Sequence, residues 1–230
     1  MSNDRLIIKG GKPLFGDVKI SGAKNAVLPL ISISLLFDKS FTLKNVPDLA
    51  DTRLMIKLIN ALGVMTKFYD GVIDFHGEPQ NIEAPKELVS KMRASILVLA
   101  PLLSKRQNAL IPMPGGCEIG ERPINYHIDA LKQLGADTYL QNGFLRATLP
   151  QGKFIGNEIK FPQVSVGATE CVIMAATLAI GKTKIYNAAK EPEIVDLGNC
   201  LNLAGAKITC LLYTSPSPRD LYRSRMPSSA

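Results

Sequence analysis

Three stretches of the chain, residues 26–64, 95–137 and 171–208, follow one plan. That repetition limits the possible folds more than any other feature of the sequence. Each stretch opens on an apolar run of helical length and crosses a short polar turn. Each then enters an alternating strand (FTLKN, ALIPM, TKIYN), bends through a Pro-containing loop and ends in an amphipathic helix. The closing helices stop at Gly63, Gly135 and Gly205, about 70 residues apart. Glycine suits the left-handed residue that closes a helix. The opening runs, SILVLAPLL above all, are apolar on every side, as helices buried inside a domain are.

Further strands are expected between the units, in VKISG, TKFYDGVIDFHG, TYLQNGFLRATL and EIKFPQ. Asp70-Gly71 and Asn142-Gly143 are hairpin turns by composition. Each repeat therefore reads as two helices and four strands, and the whole as an α/β fold with three sheets around buried helices. Residues 1–20 hold two short strands outside the repeats, RLIIKG and LFGDVKI.

Hydrophobic residues make up 46% of the 230-residue chain and charged ones 20%, which is the mix of a water-soluble globular protein. No apolar run is long enough to span a bilayer. The first residues lack a basic region followed by an apolar one, so no signal peptide is read and a cytoplasmic location is expected. Cys117, Cys171, Cys200 and Cys210 show no C-x-x-C spacing, and His76 and His127 form no ligand pattern. No metal and no disulfide framework is expected, and reduced thiols fit best. The net charge of +7 is scattered, aromatics are few and Trp is absent. That pattern disfavours a nucleic-acid platform and leaves room for a local pocket for small anions.

From Cys210 onward Ser, Pro and Arg dominate and periodicity stops. At face value this is a disordered basic tail. CLLYTSPSPRD and SRMPSSA also resemble the translated ends of a sequencing adapter, with residues 221–223 as an index between them. Residues 210–230 are accordingly read as non-native, and the natural chain is expected to continue where 209 stops.

Asn45 to Gly63 and Asn187 to Gly205 are equally long, whereas Met113 to Gly135 is longer by four residues. The extra residues fall in PGGCEIGERP, and an insertion confined to one copy is where function is usually grafted. Cys117 follows two glycines there, and Arg122 is placed to stabilise a thiolate or a bound anion. A small buried hydrophobe is the competing reading of Cys117, and it is the preferred one for Cys171 and Cys200. Lys24 and Asn25 follow ISGA at a strand-to-helix turn. The lysine opposes the helix dipole there and needs another reason, an anionic ligand or plain solvation. Arg93 holds the equivalent place in the second copy, and VSVGATE, with Ser165, Gly167 and Thr169, holds it in the third. If the copies are related by a pseudo-threefold axis, these helix starts face one side and form an anion trap; scattered caps are the alternative. Glu191, Glu193 and Asp196 either serve a polar ligand or simply start a helix with the favourable dipole sign, and the latter is preferred.

The stretches ISGAKNAVLPL, MRAS, PGGCEIGERP, VSVGATE and NAAKEPEIVDL resemble, in order, the UDP-N-acetylglucosamine 1-carboxyvinyltransferase family of enolpyruvyl transferases, from about residue 5 to 209. The resemblance implies an inside-out α/β barrel of βαβαββ-like repeats, three in each of two similar domains. Residues 21–209 would be one three-repeat domain, residues 1–20 would pack in a second domain absent here, and 210–230 would be foreign. It implies transfer of the enolpyruvyl group of phosphoenolpyruvate to the 3-hydroxyl of UDP-N-acetylglucosamine with release of phosphate, the step that opens peptidoglycan synthesis. No cofactor, membrane or nucleic-acid partner is implied.

By the same resemblance Cys117 protonates the enolpyruvate carbon or forms its covalent adduct, and is the target of fosfomycin. Lys24 contacts phosphoenolpyruvate and Asn25 the UDP-sugar. Arg93 and Arg122 bind the anionic ligands. Arg122, Pro123, Ile124, Asn125 and Tyr126 approach the uridine, and Ser165, Val166 and Gly167 line the diphosphate side. Two positions depart from the pattern. Asn125 stands where many relatives have Asp, making a uracil contact neutral, and Gln163 stands where many have Lys, weakening a diphosphate contact. Family aspartate and arginine groups of the second domain are missing, so the chain alone is expected to be inactive. A non-catalytic UDP-sugar-binding fragment is one alternative. The shikimate-pathway enolpyruvyl transferase is another, although its family does not use a Gly-Gly-Cys loop.

Overall fold

A computed structural model describes residues 7–13, 15–113 and 124–209. The first repeat contains α1 (Lys24–Ser32), a 3-10 turn (Ile33–Leu36), β1 (Phe41–Leu43), α2 (Ala50–Ala61), β2 (Met65–Tyr69) and β3 (Val72–His76). The second has α3 (Lys86–Val89), a 3-10 turn (Arg93–Val98), α4 (Leu99–Arg106), β4 (Asn108–Pro112), α5 (Asn125–Gln133), β5 (Asp137–Gln141) and β6 (Phe144–Thr148). The third has β7 (Glu158–Lys160), α6 (Val166–Thr177), β8 (Lys184–Tyr186) and α7 (Pro192–Leu203).

The apolar opening runs form the centre. Every residue from Ala168 to Ala175 of α6 is buried, as is every residue from Ser95 to Leu103 across the second 3-10 turn and α4. α4 packs on α6, and α1 packs on α2, α7 and the 3-10 turn at Arg93. Buried hydroxyls are satisfied locally: Ser95 Oγ donates to the Met92 carbonyl at 2.6 Å and Ser32 Oγ to the Leu28 carbonyl at 3.0 Å. Proline explains the change of helix type. Pro101 has no N–H and its ring crowds the Leu97 carbonyl, so the run from Arg93 to Val98 winds as a 3-10 turn before α4 begins.

The strands lie outside the helices. Sheet order is β1-β3-β2 in the first repeat and β4-β6-β5 in the second, both antiparallel, and β7 pairs with β8 in parallel. Helices inside and sheets outside match the expected architecture, and the described sheets are three separate ones that do not join into a ring. Both hairpins form where expected. Asp70 and Gly71 have φ of 46° and 72°, and Asn142 and Gly143 have 53° and 77°, the two consecutive positive values of a type I′ turn.

The sequence overstates the strand content. VKISG forms no strand, and the described parts of RLIIKG and LFGDVKI form none either. Ile7, Ile8, Phe15, Val18 and Ile20 are each about four-fifths exposed or more, because nothing in the described structure offers this segment a partner. The strand before the central helix survives as β7 in the third copy and shrinks to a single parallel bridge, Glu83 with Leu110, in the second. In the first copy the chain passes so close to the end of β1 that a Cβ on Gly22 would lie 2.1 Å from the Asn45 carbonyl oxygen.

The closing glycines behave alike. Gly63, Gly135 and Gly205 have φ of 109°, 97° and 102°. In each case the glycine N–H donates three residues back and the next N–H five back (Val64 to Ile59, Ala136 to Leu131, Ala206 to Leu201). That pair of bonds is a Schellman closure. Space around them differs: a Cβ on Gly63 would lie 2.6 Å from the Gln80 backbone nitrogen, and one on Gly135 would meet nothing nearer than Ile155 Cγ1 at 4.0 Å. Gly135→Ala is expected to cost about 1 kcal/mol, the strain of the left-handed backbone alone. Gly63→Ala should cost clearly more in the same urea titration, because the Gln80 backbone must also move.

Candidate active site at the starts of the central helices

Five of the residues singled out in the sequence fall on the first turns of the three central helices. Lys24 and Asn25 are the first two residues of α1, Arg93 is the first of the 3-10 turn that leads into α4, and Val166 and Gly167 are the first two of α6. The leading N–H groups of a helix have no acceptor within it. In α1 no side chain caps them. In α6, Ser165 is the N-cap and its Oγ accepts from the Ala168 N–H at 3.4 Å, leaving the N–H groups of Val166 and Gly167 at the front. The Thr169 hydroxyl fixes this turn from behind. It donates to the Ser165 carbonyl at 2.7 Å and accepts from the Ala189 N–H at 3.0 Å.

Lys24 has a structural partner that sequence reasoning did not name. Its Nζ lies 3.0 Å from Asp51 Oδ2, on the first turn of α2. Both groups are well exposed, so the pair contributes at most about 1 kcal/mol. Asp51 stands at the favourable end of its own helix dipole and offsets the unfavourable placing of Lys24.

The Arg93 charge and the Gly167 backbone both bear on a residue that nothing in the sequence marked out. His127, on the first turns of α5, is 6% exposed, and its Nε2 would lie 3.0 Å from a Cβ on Gly167. Among the described residues neither ring nitrogen has a hydrogen-bond partner. Burial first, and the Arg93 charge second, push its pKa down to about 4; the Ile124 carbonyl pulls weakly the other way. The ring is therefore neutral at pH 7. Ile124 is the buried N-cap of α5, Asn125 is exposed at its first position, and Tyr126 is half-buried against the core. Gln163 is exposed ahead of Ser165. Cys117, Arg122 and Pro123 lie outside the described residues.

Glu191 and Glu193 start α7 as the dipole argument favoured, at its N-cap and in its first turn. They face a carboxyl that the sequence did not flag. Glu170 on α6 is 5% exposed, and burial, then Glu193 and Glu191, push its pKa up to about 8. Cys171 is fully buried and its thiol is pushed up to about 12, which makes it inert. Cys200 is only half-buried against the core, with its pKa raised by burial and by Asp196. No cluster of His, Cys, Asp and Glu among the described residues has the geometry of a metal site. No described helix is long and apolar enough to cross a membrane.

Glu170 and His127 act on stability with opposite sign. Glu170 binds its proton more tightly folded than unfolded, so its stabilisation is complete below the ordinary carboxyl pKa and is lost as pH rises toward 8. His127 binds its proton less tightly folded than unfolded, so stability is lost as pH falls from about 6.5 toward 4. Melting temperatures measured from pH 4 to 9 should pass through a maximum in the mildly acid range. Glu170→Gln should flatten the alkaline limb and leave the acid limb in place.

Comparison with known proteins accounts for the arrangement. The chain matches the family described as EPSP synthase (3-phosphoshikimate 1-carboxyvinyltransferase) over residues 8–220. It is 48% identical over 217 residues to the UDP-N-acetylglucosamine 1-carboxyvinyltransferase of Allorhizobium ampelinum, covering 90% of this chain and 50% of the relative. It is 51% identical over 213 residues to the protein of the same name from Zymomonas mobilis, covering 89% and 50%. The chain thus spans about half the length of these curated relatives. Among solved structures, the enolpyruvyl transferase NikO from Streptomyces tendae superposes with a TM-score of 0.75 at 19% identity, over 87% of this chain and 47% of that one. An EPSP synthase from Acinetobacter baumannii gives 0.63 at 15% identity, over 78% and 42%. The fold is one shared with enolpyruvyl transferases, and the chain belongs to the EPSP synthase family.

Proposed function

We propose that this chain is one wall of the active-site cleft of a cytoplasmic UDP-N-acetylglucosamine 1-carboxyvinyltransferase. The reaction adds the sugar 3-hydroxyl to C2 of phosphoenolpyruvate while C3 gains a proton. Loss of a proton from C3 and of phosphate from C2 then restores the enol ether. The observation that carries the reading is the placing of Lys24, Arg93 and Gly167 on the first turns of three repeat-equivalent helices, with the His127 ring against Gly167 and under the charge of Arg93. First-turn N–H groups and two cations are what anionic substrates need. The relatives at 48–51% identity carry this activity in their names and support it over the shikimate-pathway reaction.

In this reading Lys24 holds phosphoenolpyruvate, Asn25 the sugar and Arg93 the anionic groups. Ser165, Val166 and Gly167 receive the diphosphate, with Gln163 beside it, and Arg122, Pro123, Ile124, Asn125 and Tyr126 flank the uridine. Cys117 supplies the proton to C3. Residues 1–20 belong with a second domain, residues 21–209 are the three-repeat domain, and 210–230 are foreign to both. The second domain is the natural partner, and catalysis needs both walls because orientation and exclusion of water depend on closure.

Calorimetry with UDP-N-acetylglucosamine beside a phosphate-release assay tests this. The chain should bind the sugar nucleotide weakly and release no phosphate, and Arg93→Ala should weaken binding by roughly tenfold or more. Chain with no affinity for the nucleotide, or with turnover by itself, would contradict the reading.

A further inference from the structure

Among the described residues the third sheet is a strand short of the other two. In the first two repeats the return strand of the hairpin, β3 or β6, lies in the middle of its sheet, between β1 and β2 or between β4 and β5. The register is the same in both. Leu43 faces Ile73 and Ile111 faces Leu145 on one side; Thr66 faces Phe75 and Thr138 faces Ala147 on the other. Counted from the closing glycines, Thr66 and Thr138 correspond to Ile208, and β8 corresponds to β1 and β4. β8 pairs with β7 on one edge, and no described residue pairs with the other.

Both sides of that slot are set for a strand. The Lys184 N–H donates to the Asn157 carbonyl at 3.0 Å, on the β7 side, so the Ile185 N–H and carbonyl point the other way. Across the slot the Asn202 side chain holds both backbone groups of Ile208, accepting from its N–H at 2.7 Å and donating to its carbonyl at 2.8 Å. The backbone groups of Lys207 and Thr209 therefore face the slot, as Lys67, the counterpart of Thr209, faces Asp74. The end of α7 lacks the same piece. After β3 the chain crosses the end of α2, where the Gln80 N–H donates to the Leu62 carbonyl and the Asn81 side chain to the Ala61 carbonyl, both at 2.8 Å. After β6, the Ile155 N–H donates to the Leu134 carbonyl at 2.9 Å and the Asn157 side chain to the Gln133 carbonyl at 2.8 Å. No described group donates to the matching carbonyls of Ala204 and Leu203, and the Leu203 side chain is 91% exposed.

We propose that the third repeat is an acceptor for an added antiparallel strand, supplied in trans by the arm of another polypeptide. The arm alternates polar and apolar residues, has an acid at its middle, and carries an asparagine or glutamine a few residues further on. The alternation follows from the buried inward pairs, Ile73 with Phe75 and Leu145 with Ala147. The acid follows from charge: the middle residue stands beside Lys184, as Asp74 stands beside Thr42 and accepts its hydroxyl at 2.6 Å. The amide side chain caps α7 as Asn81 and Asn157 cap α2 and α5. This chain does not encode the arm. Leu212-Tyr213 hold the place of Asp70-Gly71 and Asn142-Gly143, and they lack the glycine that both hairpins use. A second copy offers residues 17–21, an exposed alternating stretch, but its middle residue Lys19 would stand against Lys184, and like charges oppose that pairing.

The probe is a synthetic peptide copying residues 71–81, GVIDFHGEPQN, added to the full chain. At saturation the amides of Ile185, Lys207 and Thr209 should exchange with solvent about tenfold more slowly or better. Asp74→Lys in the peptide should weaken binding several-fold, and aspartate in place of both Ile73 and Phe75 should abolish it. Thr209→Pro in the chain removes an N–H that faces the slot, so it should weaken peptide binding by roughly fivefold and leave the melting temperature of the free chain in place. A covalent version removes the cost of bringing two molecules together. With residues 210–223 replaced by a copy of 68–81, melting should rise by about 3 °C or more over the same graft carrying the two aspartates. The proposal falls if the peptide leaves those amides unchanged and the two grafts melt together. It falls equally if the amides are already protected in the free chain, because its own tail then fills the slot. Protection that grows with chain concentration makes a second copy the occupant and also overturns it. None of these outcomes depends on the ligand at the helix starts.

Discussion

Burial of three apolar helices on all sides governs the rest of this structure. α1, the run from Arg93 through α4, and α6 give their whole circumference to the core, and a helix so enclosed has only its ends left to meet water. The polar side chains that the repeats conserve as a plan are therefore concentrated on first turns, where unpaired N–H groups also emerge. Lys24, Arg93 and Ser165 sit there for a packing reason before they have any chemical one. Polar first turns with unpaired N–H groups follow from the way the core is filled.

The outer layers serve that core. α2, α5 and α7 cover it with one apolar face each and stop at Gly63, Gly135 and Gly205, whose identical hydrogen bonds turn the chain back toward a sheet. The type I′ hairpins then close the first two sheets. Phe41 stacks on Phe75 at 4.6 Å between β1 and β3, and Lys105 on α4 pairs with Asp38 in the preceding repeat. Both contacts bridge segments far apart in sequence.

Much of this was readable in the sequence because it depends on local rules. Glycine at a helix end, Asp-Gly or Asn-Gly between alternating runs, and all-round apolarity each have a backbone cause that acts within a few residues. The strands in VKISG and the first twenty residues were overestimated because strand character is realised only when a partner is present, and alternation does not reveal one. The candidate site was half legible in its placement. Positions on helix starts came through, since they repeat. His127 and Glu170 did not, because their character comes from what packs on them across the fold. In sequence one is an ordinary polar residue of an amphipathic helix and the other an acid in an apolar run. The Asp51 partner of Lys24 was hidden for the same reason, with a whole helical repeat segment between them.

The Thr169 hydroxyl has a consequence for how the third repeat responds to charge. It joins the Ser165 carbonyl to the Ala189 N–H, so the front of α6 and the approach to α7 move as one bracket. A charge on Glu170, next to Thr169 in α6 and repelled by Glu191 and Glu193, would load that bracket before any other part of the unit.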